Sequence, residues 1–298
     1  MINVNSLMHI EGLTILKDEP LSKYTGFRTG GPSTVLIPDT LECFISTIRS
    51  LKDNRLPFYV LGNGSNVLAL DEGYDGFIVL TKKALNSIVF DGSSIKSGSG
   101  CMLIEVCRSA LSHSLSGLEF AYGIPGTIGG AVYMNAGAYG DEICSVIKKV
   151  QILDDNCAIR DLDKDELDLG YRHSIFQDHK EWIILSAELA LNPGNPKDIS
   201  DRMKELLQRR KDKQPLEFPS CGSTFKRPEG SFASKLIDEC GLKGYRIGGA
   251  AVSEKHAGFV INLDSATSKD ILDLCLNIQK IVRDDTGFNL ELEVELLK

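Results

Sequence analysis

The stretch from Gly123 to Gly140 reads G-I-P-G-T-I-G-G-A-V-Y-M-N-A-G-A-Y-G. Six glycines fall within it and no charged side chain does. Such a backbone can approach another surface closely and turn its N–H groups toward a bulky anion. Taken alone, the run reads either as a cofactor cradle or as a glycine-rich loop that turns the chain. The rest of the chain decides between them.

Working outward, a short apolar strand at Phe58 to Leu61 runs into G-N-G-S-N, Gly62 to Asn66, and a second strand follows at Phe77 to Leu80. Between Asp39 and Asn54 a helix is expected, with Asp39 and Glu42 as a capping box and Leu41, Phe44, Ile45, Ile48 and Leu51 in phase. This β-α-β unit invites a dinucleotide reading, but G-x-G-x-x-G would need glycine where Val67 stands, and Gly98 and Gly100 fail likewise at Leu103. No G-x-x-x-x-G-K-[ST] occurs either. A glycine cradle here must work without a Rossmann or P-loop frame. The segment Tyr24 to Pro32, Y-T-G-F-R-T-G-G-P, reads as a turn that either caps a ligand pocket or joins strands.

Downstream, a hairpin is expected about Asp91-Gly92, a helix over Leu103 to Leu111, a second hairpin about Asp155-Asn156, and a strand at Trp182 to Leu189. The run N-P-G-N-P, Asn192 to Pro196, reads as the main linker. Beyond it come a helix around Ile199 to Lys211, a helix capped by Ser231 that stops at Gly241, and a strand at Gly258 to Leu263. A long helix from Thr267 to Gly287 and a terminal strand from Asn289 to Leu297 complete the C-terminal part.

The chain has 298 residues, a formal charge of −8 and a pI near 5.3, which argue against a nucleic-acid or polybasic membrane partner. No run of 18 apolar residues occurs, and Met1 to Leu13 lacks the pattern of a leader peptide, so a cytoplasmic protein is expected. Eight cysteines without a C-x-x-C pair suit reduced thiols, and the five scattered histidines offer no ligand spacing, so no metal is expected. Nothing in the sequence indicates an oligomeric state.

Five motifs in order carry a resemblance: G-N-G-S-N, the block I-P-G-T-I-G-G-A with N-A-G-A-Y-G, Tyr171-Arg172, C-G-S-T-F-K at 221 to 226, and L-E-L-E-V near the end. Together they resemble the UDP-N-acetylenolpyruvoylglucosamine reductase family over nearly the whole chain. The resemblance implies an α+β fold: a FAD-binding module of the vanillyl-alcohol-oxidase type in two subdomains, residues 1–82 and 83–195, and a C-terminal substrate domain, residues 196–298. It implies NADPH-dependent reduction of an enolpyruvyl ether on a UDP-sugar through bound FAD, a step of peptidoglycan precursor synthesis. Other readings are a different FAD oxidoreductase of this fold, or a flavin-binding protein without catalysis.

By the same resemblance, Gly62, Asn63, Gly64, Ser65 and Asn66 would embrace FAD together with Gly123, Ile124, Pro125, Gly126 and Thr127. Gly130, Ala131, Asn135, Gly137, Ala138 and Gly140 would continue that surface, and Arg210 would approach the flavin. Ser223 would be the proton donor, with Arg172 and Glu293 polarising the substrate carboxylate. Tyr171, Lys213, Lys226, Arg227 and His256 would contact the UDP-sugar. Two departures stand out. Arg227 occupies the middle of a family K-N-P, and Glu295 stands where the family has arginine in E-V-R. Only nine residues separate Arg172 from Trp182, which leaves no room for the substrate-covering insertion of one family branch.

Overall fold

The computed structural model describes residues 6–298, so part of the reading of Met1 to Leu13 lies outside the described residues. The chain forms two compact units that interleave in sequence. The first takes in the chain up to Leu16, Thr34–Asn63 and Gly76–Arg209; the second takes in Lys17–Ser33, Gly64–Asp75 and Arg210–Lys298. The division therefore passes through the five-residue G-N-G-S-N loop, between Asn63 and Gly64.

A four-stranded sheet, which belongs to the first unit except for residues 17–20 and 32–33, runs in the order Leu13–Pro20, Pro32–Pro38, Phe77–Leu80, Phe58–Leu61. Phe77–Leu80 lies parallel to both of its neighbours, and the helix Leu41–Asp53 makes the crossover between those two. That helix is capped by Thr40, whose hydroxyl accepts from the Cys43 N–H at 3.1 Å, and not by the expected Asp39. Its Phe44, Ile48 and Leu51 are fully buried with Phe77 and Val79, each contributing about 1.5–3 kcal/mol of apolar burial.

The other half of the first unit is a five-stranded antiparallel sheet, ordered Ile159–Asp163, Ile147–Leu153, Ile183–Ala190, Ser94–Gly98, Ile88–Asp91. Leu103, Val106, Cys107 and Ala110, on one face of the helix Leu103–Ser112, share a core with Ile95, Val150 and Ala187. The proposed linker is ordered structure: Asn192–Pro193 pairs with Leu115–Ser116, and Pro196 opens the helix Pro196–Lys213. Proline is favoured at a first helical position because the N–H it lacks has no partner there.

In the second unit the helix Ser268–Thr286 packs its Ile271, Leu274, Ile278 and Val282 into one core with Ala250, Val252 and Val260 of a three-stranded sheet. Thr267 and Asp270 form the capping box, and Gly287 ends the helix at φ +78°. The helix Ala233–Glu239 is capped by Phe232 and not by Ser231. The terminal strand is shorter than expected. It comprises an isolated bridge at Leu292 and the strand Glu295–Leu297, which pairs in parallel with Val67–Ala69.

Candidate active site

In the first unit the glycine run is not a plain loop. A six-residue helix, Ile128–Tyr133, forms inside it, with Thr127 as the cap accepting from the Gly130 N–H at 3.4 Å. Gly62 abuts this cap: a Cβ there would stand 2.5 Å from Thr127 Oγ1. Gly129 lies on Ser99, where a Cβ would meet the Ser99 Cβ at 2.9 Å. Close packing thus accounts for these two glycines without a ligand. At Gly130 the nearest atom to an added Cβ is Thr127 Oγ1 at 3.7 Å, and at Gly140 nothing lies within 4 Å. Each of these two glycines leaves open, side-chain-free space beside it.

Several groups expected to face a ligand are bonded within the protein. The amide N–H of Ile124 donates to Ala121 and that of Ala131 to the Thr127 carbonyl, both at 2.9 Å. At those positions a small or apolar surface, not an amide, is on offer. The Asn63 side chain donates to the Pro125 carbonyl and accepts from Lys82 Nζ, both at 2.6 Å. It fastens the first glycine turn to the second. Lys82 is a cation that no motif flagged, because it follows a strand end without any pattern around it.

Asn135 also differs from expectation. Its side chain is 1% exposed and donates to Glu142 Oε2 and to the Gly170 carbonyl, while its Oδ1 accepts from the Cys144 N–H, all at 2.9 Å. An amide so engaged is a brace and has no side-chain donor left for a cofactor. What it braces is the Tyr171-Arg172 turn. Gly170 and His173 bridge that turn, Gln177 Nε2 donates to the Arg172 carbonyl at 2.9 Å, and Arg172 Nη2 reaches the Gly137 carbonyl at 3.4 Å. Arg172 has φ +55°, a conformation that costs about 1–3 kcal/mol in a residue with a side chain. The bonds from Asn135 and Gln177 hold that conformation and fix where the guanidinium starts. Its charge also lies 5.2 Å from the exposed Tyr171 ring. Asp168 and Asp178 flank the half-buried His173 beside this turn, with His173 Nε2 3.2 Å from Asp168 and 3.7 Å from Asp178.

The second unit holds Gly64, Ser65, Asn66, Arg210, Lys213, Ser223, Lys226, Arg227, His256 and Glu293. Gly64, at φ +62°, presses against the Tyr24 carbonyl, which a Cβ would meet at 1.9 Å, and its own carbonyl accepts from the Gly26 N–H. Tyr24 to Pro32 thus supports the loop from inside this unit. C-G-S-T-F-K runs antiparallel to L-E-L-E-V: Phe225 bridges Leu292, the Glu293 N–H donates to the Thr224 carbonyl at 2.9 Å, and the Lys226 N–H donates to Glu291 at 2.8 Å. This register brings Ser223 and Glu293 to neighbouring rungs of one pairing. Ser223 is exposed, next to Gly222 at φ +76°, while Cys221 is buried with its thiol pushed up to about 12. A thiol held protonated and enclosed does not compete with the serine.

The segment bearing His256 joins the same frame, since the Gly258 carbonyl accepts from the Thr224 N–H and Thr224 Oγ1 accepts from the Val260 N–H. Burial holds the His256 pKa below the ordinary imidazole value. Its Nδ1 accepts from the Gly258 N–H at 3.2 Å, so the neutral ring carries its proton on Nε2. Lys226 faces Glu291 at 3.8 Å, and the Arg227 guanidinium lies 4.7 Å from the Phe232 ring. Lys213 is exposed and Arg210 half-buried at the end of their helix, where Lys255 Nζ caps the Lys211 carbonyl at 2.6 Å. Thr224 and Gln177 were not legible as site residues, because each acts through a backbone bond with a partner far away or out of phase in sequence.

Residues 32–163 match the family description "FAD binding domain", and residues 214–297 match "UDP-N-acetylenolpyruvoylglucosamine reductase, C-terminal domain". A UDP-N-acetylenolpyruvoylglucosamine reductase of Clostridium perfringens (strain SM101 / Type A) is 47% identical over 288 residues, which cover 96% of this chain and 93% of that one. That of Clostridium botulinum (strain Eklund 17B / Type B) is 50% identical over 278 residues, 93% of this chain and 91% of that one. Among solved structures, the UDP-N-acetylenolpyruvylglucosamine reductase of Thermus caldophilus superposes with a TM-score of 0.80 at 34% identity, covering 96% of this chain and all of the other.

Proposed function

The chain belongs to the UDP-N-acetylenolpyruvoylglucosamine reductase family, and from that premise we propose how its own residues carry the reaction. The protein is a flavin-dependent oxidoreductase with FAD as cofactor and NADPH as reductant. It reduces the enolpyruvyl ether of a UDP-sugar to UDP-N-acetylmuramate for peptidoglycan synthesis. The observation that carries this is the end-to-end match, at near-half identity, with relatives of that one activity. Its fold is the α+β arrangement of a vanillyl-alcohol-oxidase-type FAD module and a substrate domain.

The glycine cradle fits FAD. The open space at Gly130 and at Gly140 accepts a flat or extended group against bare backbone, and Lys82, beside Asn63, is a cation at the turn. Ser99 Oγ, buried under Gly129, has no hydrogen-bond partner among the described residues and is available to a bound group. Gly62 to Ser65, Gly123 to Thr127, Gly130, Ala131, Gly137, Ala138, Gly140 and Arg210 would hold the cofactor, Asn63 acting as the clamp described above. Bound there, FAD would supply the hydride-transfer chemistry that links NADPH to C3 of the enolpyruvyl group.

Hydride arrival at C3 leaves negative charge at C2 and on the adjoining carboxylate. Arg172, held by its braced turn, stabilises that charge as a fixed cation. Glu293 acts with Arg172 to polarise that carboxylate. Ser223 Oγ delivers the proton to C2; a serine hydroxyl is a weak acid, so it acts on a strongly basic carbon and is then reprotonated. Neutral His256 offers Nε2–H to an acceptor on the UDP-sugar, Tyr171 lines the pocket, and Lys213, Lys226 and Arg227 supply charge for its diphosphate.

We also assign the protein to the cytoplasm, where NADPH and nucleotide sugars are found; its eight free cysteines suit that compartment. Among the described residues no helix is long and apolar enough to cross a membrane.

The purified protein should be yellow, bleach under NADPH without oxygen, and recover colour on adding the enolpyruvyl UDP-sugar. Bleaching without recovery would reject this substrate. Ser223→Ala is expected to bleach normally and to slow recovery by about 10²–10⁴-fold, the usual contribution of a general acid. Equal loss in both steps would make Ser223 a structural residue.

A further inference from the structure

Glu293 is fixed through its own peptide groups from two sides. Its N–H donates to Thr224, the neighbour of Ser223, at 2.9 Å, and its C=O accepts from the Asn66 side-chain Nδ2 at 3.0 Å. The Asn66 carbonyl accepts in turn from the Glu295 N–H at 2.9 Å. Asn66 immediately precedes Val67–Ala69, the strand paired in parallel with Glu295–Leu297. Its carbonyl begins that ladder, and its amide adds one rung beyond, made by a side chain because the main chain is already turning through Gly64 at φ +62°.

We propose that Asn66 is a positioning residue for the second half of the reaction: its amide sets the register of Glu293 against Ser223. The inference rests on the assignment of Glu293 to the substrate carboxylate. It also gives the Asn66 side chain a task other than the cofactor contact that sequence resemblance implies. An amide is required. Aspartate has the same shape but presents oxygens to the Glu293 carbonyl, turning the rung from attractive to repulsive. Glu293 would then lose one of the two backbone bonds that fix its peptide groups, and its side chain would sample positions away from the substrate carboxylate. Small displacements of this kind fall on the step that uses the residue and spare steps that do not.

The test uses Asn66→Asp in the FAD-loaded full-length protein. Flavin content and bleaching by NADPH are expected within about twofold of the parent, while recovery on the enolpyruvyl UDP-sugar slows about tenfold, the scale of one lost hydrogen bond. Amide hydrogen exchange in the segment 291–296 is expected to quicken, a readout that does not depend on turnover. In a double variant with Glu293→Gln, Asn66→Asp should add little further slowing, because it acts through that carboxyl group. Asn66→Ser, which removes the rung without the repulsion, is the second variant should Asn66→Asp fail to fold. Loss of flavin with equal slowing of both steps would overturn the proposal, as would full additivity in the double variant. Recovery unaffected by Glu293→Gln alone would instead overturn the assignment of Glu293, whatever Asn66→Asp does.

Discussion

The glycine segments and the pairing of C-G-S-T-F-K with L-E-L-E-V build functional surface by opposite means. At Gly62, Gly64 and Gly129 the surface is set by side chains that are missing, and added atoms would fall 1.9–2.9 Å from Thr127, Tyr24 or Ser99. In the pairing it is set by backbone bonds through Thr224 and Asn66, so that the Ser223 and Glu293 side chains project from a frame that does not depend on them. Substitution in the first kind of region strikes the fold. In the second it strikes the chemistry.

The hardest test of that contrast is Gly64→Val. Its φ of +62° and its approach to the Tyr24 carbonyl leave no room to adapt, so a loss of about 3 kcal/mol or more is expected in urea unfolding. A variant as stable as the parent would end the account of tight glycines. Next in size is a matched pair, Gly62→Ala and Gly130→Ala. Overpacking against Thr127 should lower the stability of FAD-stripped Gly62→Ala by about 1–3 kcal/mol. Gly130→Ala, in a short helix with space around it, should be at least as stable as the parent and yet bind FAD more weakly in a titration. Unchanged FAD affinity would mean that this open space lies away from the cofactor.

The smallest effect concerns His256. Burial lowers its pKa in the folded protein, so as the pH falls below about 6.5 the unfolded chain takes up the proton first. The stability associated with the neutral ring is present above that pH and is lost as the pH drops through the lowered native value. Melting temperatures between pH 7.5 and 5.5 should therefore fall more steeply for the parent than for His256→Gln; parallel curves would remove His256 from the account.

What was legible in the sequence follows the same contrast. The helix Ser268–Thr286 carries its own signals in Thr267, its apolar phase and Gly287, and the hairpin about Asp91-Gly92 likewise declares itself locally. The helix Ile128–Tyr133 was hidden, because six residues that include two glycines show no apolar period. The cap at Thr40 rather than Asp39 was a choice between adjacent residues of similar chemistry. N-P-G-N-P read as a break because its tertiary partner, Leu115–Ser116, lies far upstream. At the site, the motif residues could be named by resemblance, but the braces from Asn135, Gln177 and Asn66 could not. Each joins a side chain to a carbonyl elsewhere in the chain, and no spacing records such a bond.

The pairing of Val67–Ala69 with Glu295–Leu297 also orders events during synthesis. Val67 leaves the ribosome well before its partner, Glu295. Contacts so distant in sequence form slowly, and a chain grows from its N-terminus. The second unit, assembled from three separate segments, therefore completes its core only once its last segment has been made. Its Gly64–Asn66 loop waits with it. A nascent chain that stops short of Glu295 would carry the Val67–Ala69 edge without its partner, so Glu295 to Leu297 close the second unit.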